Sequence, residues 1–495
     1  MFTRFVRFVL LGTSLASAMN AADVIGIHPD NPRYFQWRGQ STVLVAAGEH
    51  YGAVINADFD FSKYLRTLES AGLNHTRLFL GSYVEWPNAF AIADNPLTPA
   101  PGRFLAPWAR SATPGFSLGG NKFDLDRWDA AYFARLHAFL DEADRRGVVV
   151  EAVLFFCGPG WDHLPLNPHN NVNATDDVGS TRYLTLDNGN LLARQEAYAR
   201  QLVRELNGHG NVIINLCNEP WFYNQYRPGF AAQPPPATKA WIQRVAQWVR
   251  DEEAHLPQKH VVCVDLSNQG TVVSADDLTR YFGQVDGFNV HYDANADSLS
   301  LNPAMPRYLA FNETGFNGTG DEAYRVQGWR YLLAGGAVYS HLDFSFTVGH
   351  EDGTAVPAFG GTYNAGGSPA LRRQLKILLD FMRSIPFVHM QRDDSTVVGG
   401  ADSWIALAQP GVAWAFWFPG EGPIAPGIAL PPGRYRAEWV DLLTGAVTVQ
   451  RYEARDWVAT VPGLRRGGGA ALRIFPEQPA NPRPAAKSLL PPGAP

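Results

Sequence analysis

The stretch Asn211–Trp221, NVIINLCNEPW, decides how this 495-residue chain is read. From Val212 to Cys217 it is short, nearly all apolar and partly β-branched, as a strand buried on both faces should be. It stops at Asn218-Glu219-Pro220. Proline cannot extend a hydrogen-bonded ladder, so the chain is made to turn away there, and the carboxylate is left at the end of the strand.

Similar runs recur on both sides. Residues 42–47 (TVLVAA), 74–80 (NHTRLFL), 148–156 (VVVEAVLFF), 261–266 (VVCVDL), 286–291 (DGFNVH), 307–312 (RYLAFN) and 336–342 (GAVYSHL) bring the candidate strands to eight. Most are followed by a helical pattern. The clearest is 128–146, with Trp128, Tyr132, Leu136, Phe139 and Leu140 on one stripe and Arg145-Arg146-Gly147 at its close. Another stripe, Leu371, Leu375, Leu378, Leu379 and Met382, marks a last helix. Apolar strands alternating with helices imply an α/β fold with a covered parallel sheet, and eight units fit a (β/α)8 barrel better than an open doubly wound sheet. Two connections are long, about 81–124 and 157–187. They follow the second and third strands and should wall a cleft at the C-terminal face, where barrel enzymes place their sites. Trp161, with His163 and His169 in the second of these loops, is a candidate contact for a ligand there.

Beyond about Arg392 the pattern becomes short runs (WIALAQ, VAWAFWF, GRYRAEWVDL, AVTVQRYEA, AALRIFP) cut by Gly and Pro, which predicts a small antiparallel β-sandwich. The expected organisation is a leader at 1–18, a barrel at 19–390, the sandwich at 391–476 and a Pro-rich disordered tail at 477–495. Arg4 and Arg7, the apolar run from Phe8 to Leu15 and Ala16-Ser17-Ala18 have the form of a cleaved signal peptide, so a secreted or periplasmic protein is expected. No later segment reaches the ~18 apolar residues of a membrane span, so no membrane association is expected after cleavage.

Composition narrows the partners. Apolar residues make up 46% and charged residues 18%, and the net charge of −6 comes without any basic stripe, which argues against nucleic acid. Cys157, Cys217 and Cys263 are too few and too odd in number for a disulfide framework, and each sits in or ends an apolar run as a buried thiol would. No His-x-His, Cys-x-x-Cys or His-Glu-x-x-His spacing occurs, so neither a metal nor another cofactor is expected. The oligomeric state cannot be read from the sequence.

The seventh strand repeats the pattern of the fourth, with RYLAFNETG ending in Asn312-Glu313-Thr314-Gly315. Glutamates at the ends of strands four and seven face each other across a barrel mouth. Hydrolysis of a glycosidic bond needs such a pair: one carboxyl protonates the leaving oxygen while the other attacks or stabilises the anomeric carbon.

With both strand ends in place, the chain resembles the clan A glycoside hydrolases, cellulase-like (β/α)8 barrels, from about Phe35 to Ile385. The resemblance implies a retaining enzyme acting on β-linked oligo- or polysaccharide, with Glu219 as acid/base and Glu313 as nucleophile. It also implies that Asn218 binds the sugar 2-hydroxyl and that Arg77, in GLNHTRLF, keeps the nucleophile ionised. The sixth strand ends in NVHYD, where His291 and Tyr292 are candidate contacts to nucleophile or substrate. Asp293 stands where a tyrosine is familiar, which leaves the division of roles open. A tryptophan is common at the end of strand eight; VYSHLDFSFTVGHEDGT has none, so His341, Phe344 or Phe346 would have to serve, and Glu351 and Asp352 follow. In AAGEHYG, Glu49, His50 and Tyr51 form a polar trio after strand one, either a binding group for the non-reducing end or a structural network. The segment RYRAEWVDLLTGAVT resembles a small C-terminal β domain known by a collagen-binding label, for which support of the barrel is the expected role.

Two other readings use the same barrel. A non-catalytic carbohydrate-binding protein would be signalled by loss of either glutamate, and both are present. A metal-dependent hydrolase would need an early His-x-His, which is absent. Transglycosylation uses the same two carboxylates, so the sequence does not separate it from hydrolysis, nor does it give the sugar, the linkage or endo versus exo action.

Overall fold

A computed structural model describes residues 23–156, 158–222, 233–356, 366–461 and 463–477. The leader, Cys157 and the tail beyond Glu477 lie outside these residues. All eight expected strands form: β1 (Leu44–Gly48), β2 (His75–Phe79), β3 (Val149–Phe155), β4 (Val212–Cys217), β5 (Val261–Asn268), β6 (Gly287–His291), β7 (Tyr308–Thr314) and β8 (Val338–Leu342). They make one eight-stranded sheet with β1 beside β8 and then every strand beside its predecessor back to β2, each pairing parallel. That order is a barrel, not a doubly wound sheet.

The one seam is between β1 and β2, where no regular ladder runs. Asn74 closes its lower end by accepting from the Val45 amide (2.9 Å) and donating to the Val43 carbonyl (2.9 Å) through its side chain. Higher up, the Tyr64 hydroxyl enters from the helix Phe61–Ala71, 3.3 Å from the Glu49 amide and 2.7 Å from the Thr76 hydroxyl. Gly48 makes room for it, since a Cβ there would stand 2.8 Å from that oxygen. At the top the Phe79 amide donates to the Tyr51 carbonyl (3.0 Å).

The helix expected over 128–146 begins at Ala130, because the Asp129 carboxylate caps it through the amides of Ala131 and Tyr132. Trp128 instead ends a strand, Asn121–Trp128, which pairs with Trp108–Pro114 as a hairpin inside the first long loop. The loops after β2 and β3 are stitched together by Phe123, whose amide and carbonyl bond Asn170 and Val172.

At the C-terminal end a six-stranded antiparallel sheet is accompanied by smaller three- and two-stranded sheets. Its strand Ala413–Phe418 is buried on both faces. Ala413, Ala415 and Trp417 join the barrel's core, while Trp414, Phe416 and Phe418 face a second core with Tyr435, Trp439 and Leu472. Period-two alternation thus serves two cores at once, which is why AWAFWF reads as uninterrupted apolar sequence. Among the described residues no helix is long and apolar enough to cross a membrane.

Candidate active site

Local backbone devices aim the strand-end residues. On β7 the register skips Asn312, pairing Val290 with Phe311 and His291 with Glu313, so Asn312 points down the barrel and Glu313 into its mouth. A bulge of this kind re-aims a side chain that strict alternation would send outward. On β4 the last ladder bond runs from the Asn218 amide to the Phe155 carbonyl (2.9 Å), after which Glu219 takes φ 39°. Tyr51, Tyr292 and Phe316, which follow β1, β6 and β7, also have positive φ (59°, 53° and 58°). All four line one cavity of about 220 Å³ at the mouth, with Glu313, Asn218, His50, Glu85 and Leu342 also in its wall. Positive φ is costly for bulky residues, so its concentration in one cavity marks a site held in place by its surroundings.

Glu313 is surrounded by donors. Arg77 gives it an N–H from Nη1 (2.9 Å), Tyr51 a hydroxyl (3.0 Å) and Tyr292 a second hydroxyl (2.8 Å). Burial pushes its carboxyl up, but His291, Arg77 and the Tyr292 hydroxyl outweigh this and hold it below the usual carboxylate range. Glu219 is in the opposite state. Burial raises its pKa, and although His291 opposes this, the charges of Glu313 and Asp265 add to the upward shift. An oxygen of each glutamate and a nitrogen of His291 all lie within 4.8 Å of one another.

His291 is fully buried, with Nδ1 at 2.9 Å from Glu219 and 3.4 Å from Glu313, and Nε2 at 2.9 Å from Asp265. Burial alone would lower its pKa, but the carboxylates of Glu313, Asp265 and Glu219 push it up to about 10. A carboxylate oxygen at each ring nitrogen favours the imidazolium form. Glu219, His291 and Glu313 are the one set of side chains among the described residues spaced to hold a metal ion. In the imidazolium form neither ring nitrogen has a lone pair to offer one.

Beneath the cavity the barrel interior is polar. Arg77 on β2 also donates to Glu151 (3.1 Å) and to Asn218 (2.8 Å). Glu151 on β3 accepts from Asn215 (2.8 Å), Asn289 (3.1 Å) and Asn312 (2.9 Å), and Asp265 on β5 from Asn215 (2.8 Å) and Asn289 (2.9 Å). Each of these residues interrupts an otherwise apolar strand run.

The structure sorts the expected site residues into three groups. Glu219, Glu313, Asn218, Tyr292 and His50 line the cavity. Arg77 and His291 lie behind it and reach it through the glutamates and Asn218. Glu49 and Trp161, also expected at the site, do not line it. Both Glu49 oxygens accept backbone amides, from Gly52 (2.8 Å) and Ala53 (3.2 Å), and burial drives its pKa to about 7 despite those bonds. Trp161 packs its ring on Tyr183 (5.4 Å) within its own loop. Asp293 accepts the amides of Asp297 and Ser298 and does not line the cavity. None of the residues expected in place of the missing tryptophan lines the cavity, whereas Leu342 and Phe316 do: His341 packs on Tyr324 (4.0 Å), Phe346 on Tyr64 (5.0 Å), and Phe344 between His50 and Phe316 (5.8 Å from each). Glu351 accepts the amides of Asp60 and Gly349, away from the cavity. Glu85, Phe90, Phe156, Phe222 and Asn268 line it without having been expected.

No protein-family model matches the sequence, and no curated protein matches it. Solved structures do. A glycoside hydrolase family 5 structure from Bacteroides vulgatus superposes with a TM-score of 0.61 at 13% identity, over 92% of this chain and 94% of that one. A second structure, described as a glycoside hydrolase, gives 0.61 at 14% identity over 92% and 97%. Another Bacteroides vulgatus protein gives 0.63 at 14% identity over 93% and 83%. This chain has the fold of these glycoside hydrolase structures along nearly its whole length.

Proposed function

We propose that the protein is a retaining glycoside hydrolase cleaving β-linked oligo- or polysaccharide, with Glu219 as acid/base and Glu313 as nucleophile. The observation that carries this reading is a pair of neighbouring carboxyl groups whose surroundings shift them in opposite directions. Against the upward push of burial, His291, Arg77 and the Tyr292 hydroxyl hold Glu313 below the usual carboxylate range, while burial holds Glu219 above it. A nucleophile and a general acid need those two states in the same site. Their oxygens, within 4.8 Å of each other, fit the ~5–5.5 Å carboxyl spacing of double displacement better than the ~6.5–9.5 Å that leaves room for an attacking water.

In the first half-reaction Glu219 protonates the leaving oxygen as Glu313 bonds to the anomeric carbon. Formation of that ester removes the nucleophile's negative charge, which was one cause of the raised Glu219 pKa. Glu219 then becomes the better base for deprotonating the water that releases the sugar. Asn218, fixed by Arg77 at 2.8 Å, is placed to bind the sugar beside the reacting carbon.

The leader-like 1–18 supports export, and the shared core supports a bracing role for 391–476 on a catalytic unit of 19–390. A panel of aryl β-glycosides followed by NMR of the first-formed anomer tests the reaction. Retention is expected, and an inverted first product would overturn the assigned roles.

A further inference from the structure

The cavity has a second charged corner, away from Glu219. His50 follows β1 and Glu85 lies in the loop after β2, and His50 Nε2 stands 3.2 Å from Glu85 Oε1. Both residues are more than nine-tenths buried and both line the cavity. Glu85 also accepts from the Tyr83 hydroxyl (3.4 Å) and from Asn95 Nδ2 (2.6 Å). A carboxylate has about four acceptor sites, so these three donors leave room for another. His50 Nδ1 is buried and has no hydrogen-bond partner. Burial works against charging this imidazole, while the carboxylates of Glu85, Glu313 and Glu49 outweigh it and raise its pKa above the ordinary value. A buried polar nitrogen left unmatched is costly, and a ligand hydroxyl in the cavity, which can donate or accept, would satisfy it.

The wall behind this corner is sewn from three loops. The Glu85 amide donates to Leu97 O (2.9 Å), Asn56 Nδ2 to Pro96 O (3.0 Å), and the Val348 amide to Asp94 O (3.0 Å), joining the connections after β1, β2 and β8. The join is close enough that a Cβ on Gly52 would fall 2.2 Å from Pro96 O. The leaving group must depart on the side of its proton donor, Glu219 on β4, so the wall lies on the side of the retained sugar. At about 220 Å³ the cavity is smaller than the ~300–1,000 Å³ of pockets for drug-sized ligands, and suits one ring rather than a run of them.

We propose that His50 and Glu85 bind hydroxyl groups of the terminal, non-reducing sugar of a β-linked glycan, and that the wall behind them limits the protein to removing single sugars from that end. This rests on the glycosidase reading above. His50 bonds one hydroxyl through Nδ1, and Glu85 accepts from a hydroxyl proton.

The test takes the best-cleaved aryl β-glycoside, its analogues lacking one ring hydroxyl at a time, and β-linked oligosaccharides labelled at the reducing end. With the native protein, at least one analogue should lose on the order of 10- to 100-fold in kcat/KM, as for a hydroxyl bonded to a charged group. In His50→Gln or Glu85→Gln the parent substrate should fall by a similar factor, and removing that hydroxyl should then cost little more. The labelled oligosaccharides should shorten by one sugar at a time. Native enzyme that tolerates every deoxygenation, fully additive losses in both variants, or internal cleavage as the first event would overturn the inference while leaving retention intact. Failure to cleave any β-glycoside would overturn the glycosidase reading, and this inference with it.

Discussion

Asp265 stands 2.9 Å from Nε2 of His291, on the side of the ring opposite Glu219. Asp265 also accepts the Glu219 amide at 3.2 Å, so one buried carboxylate fixes both the backbone of the proposed acid and the imidazolium against its side chain. Arg77 does the same on the other side, bonding Glu313 and Asn218 together. The two proposed catalytic groups are thus held from below by a cation each, and the differences in their surroundings set their states. Two tyrosine hydroxyls, those of Tyr51 and Tyr292, donate to Glu313.

Glu313→Ala should abolish hydrolysis with the fold retained, since the Glu313 carboxylate lines the cavity and contributes chemistry rather than core packing. With an activated β-aryl glycoside, added azide should restore some turnover and give the α-glycosyl azide, because the small anion attacks where the carboxylate stood. Full activity without azide would remove Glu313 from the nucleophile role.

Glu219→Ala should act selectively. Substrates with basic leaving groups should lose about 10²- to 10⁴-fold, the usual worth of a general acid, while activated aryl glycosides should lose far less in the glycosylation step. Equal losses for good and poor leaving groups would show that Glu219 is not the acid.

Much of this was legible beforehand because barrel strands buried on both faces announce themselves as apolar runs, and Glu219 and Glu313 end two of them. Less legible were residues whose role depends on distant partners. Glu49 and His50 are adjacent in sequence, yet one turns to the backbone of Gly52 and Ala53 and the other lines the cavity beside Glu85. Only the fold of the β2 loop, 35 residues on, separates those fates. The polar layer did leave a signal: Glu151, Asn215, Asp265 and Asn289 each break an apolar strand, and a polar group buried there must have a partner. Trp161 had the composition of a sugar contact and lacked only the position.

Tyr292→Phe should weaken catalysis and move its pH profile in a fixed direction. Its hydroxyl donates to Glu313 at 2.8 Å and favours the ionised carboxylate, so its removal should raise the Glu313 pKa. The acid limb of kcat/KM should shift to higher pH, with a loss of about 10- to 100-fold at the optimum for a bond to a charged group. Loss of activity without movement of the acid limb would make Tyr292 a substrate contact only.

His291 links the site to stability. Its folded pKa of about 10 lies above the ordinary 6.5, so between those values the folded protein holds a proton that the unfolded chain has released. Stability then falls as pH rises through that window. The contribution is fully present below about 6.5 and is lost as pH passes about 10. Glu219, Asp265 and Glu313 face the ring, with Asp265 and Glu313 depressed and Glu219 raised. Comparing wild type with His291→Gln isolates the imidazole. The variant should be less stable near pH 6, because Asp265 and Glu219 lose their shared cation, and the gap should narrow steadily toward pH 10. Denaturant midpoints measured across that range decide it: a gap independent of pH would mean that His291 is neutral in the folded protein, and that the opposite states of the two glutamates must have another cause.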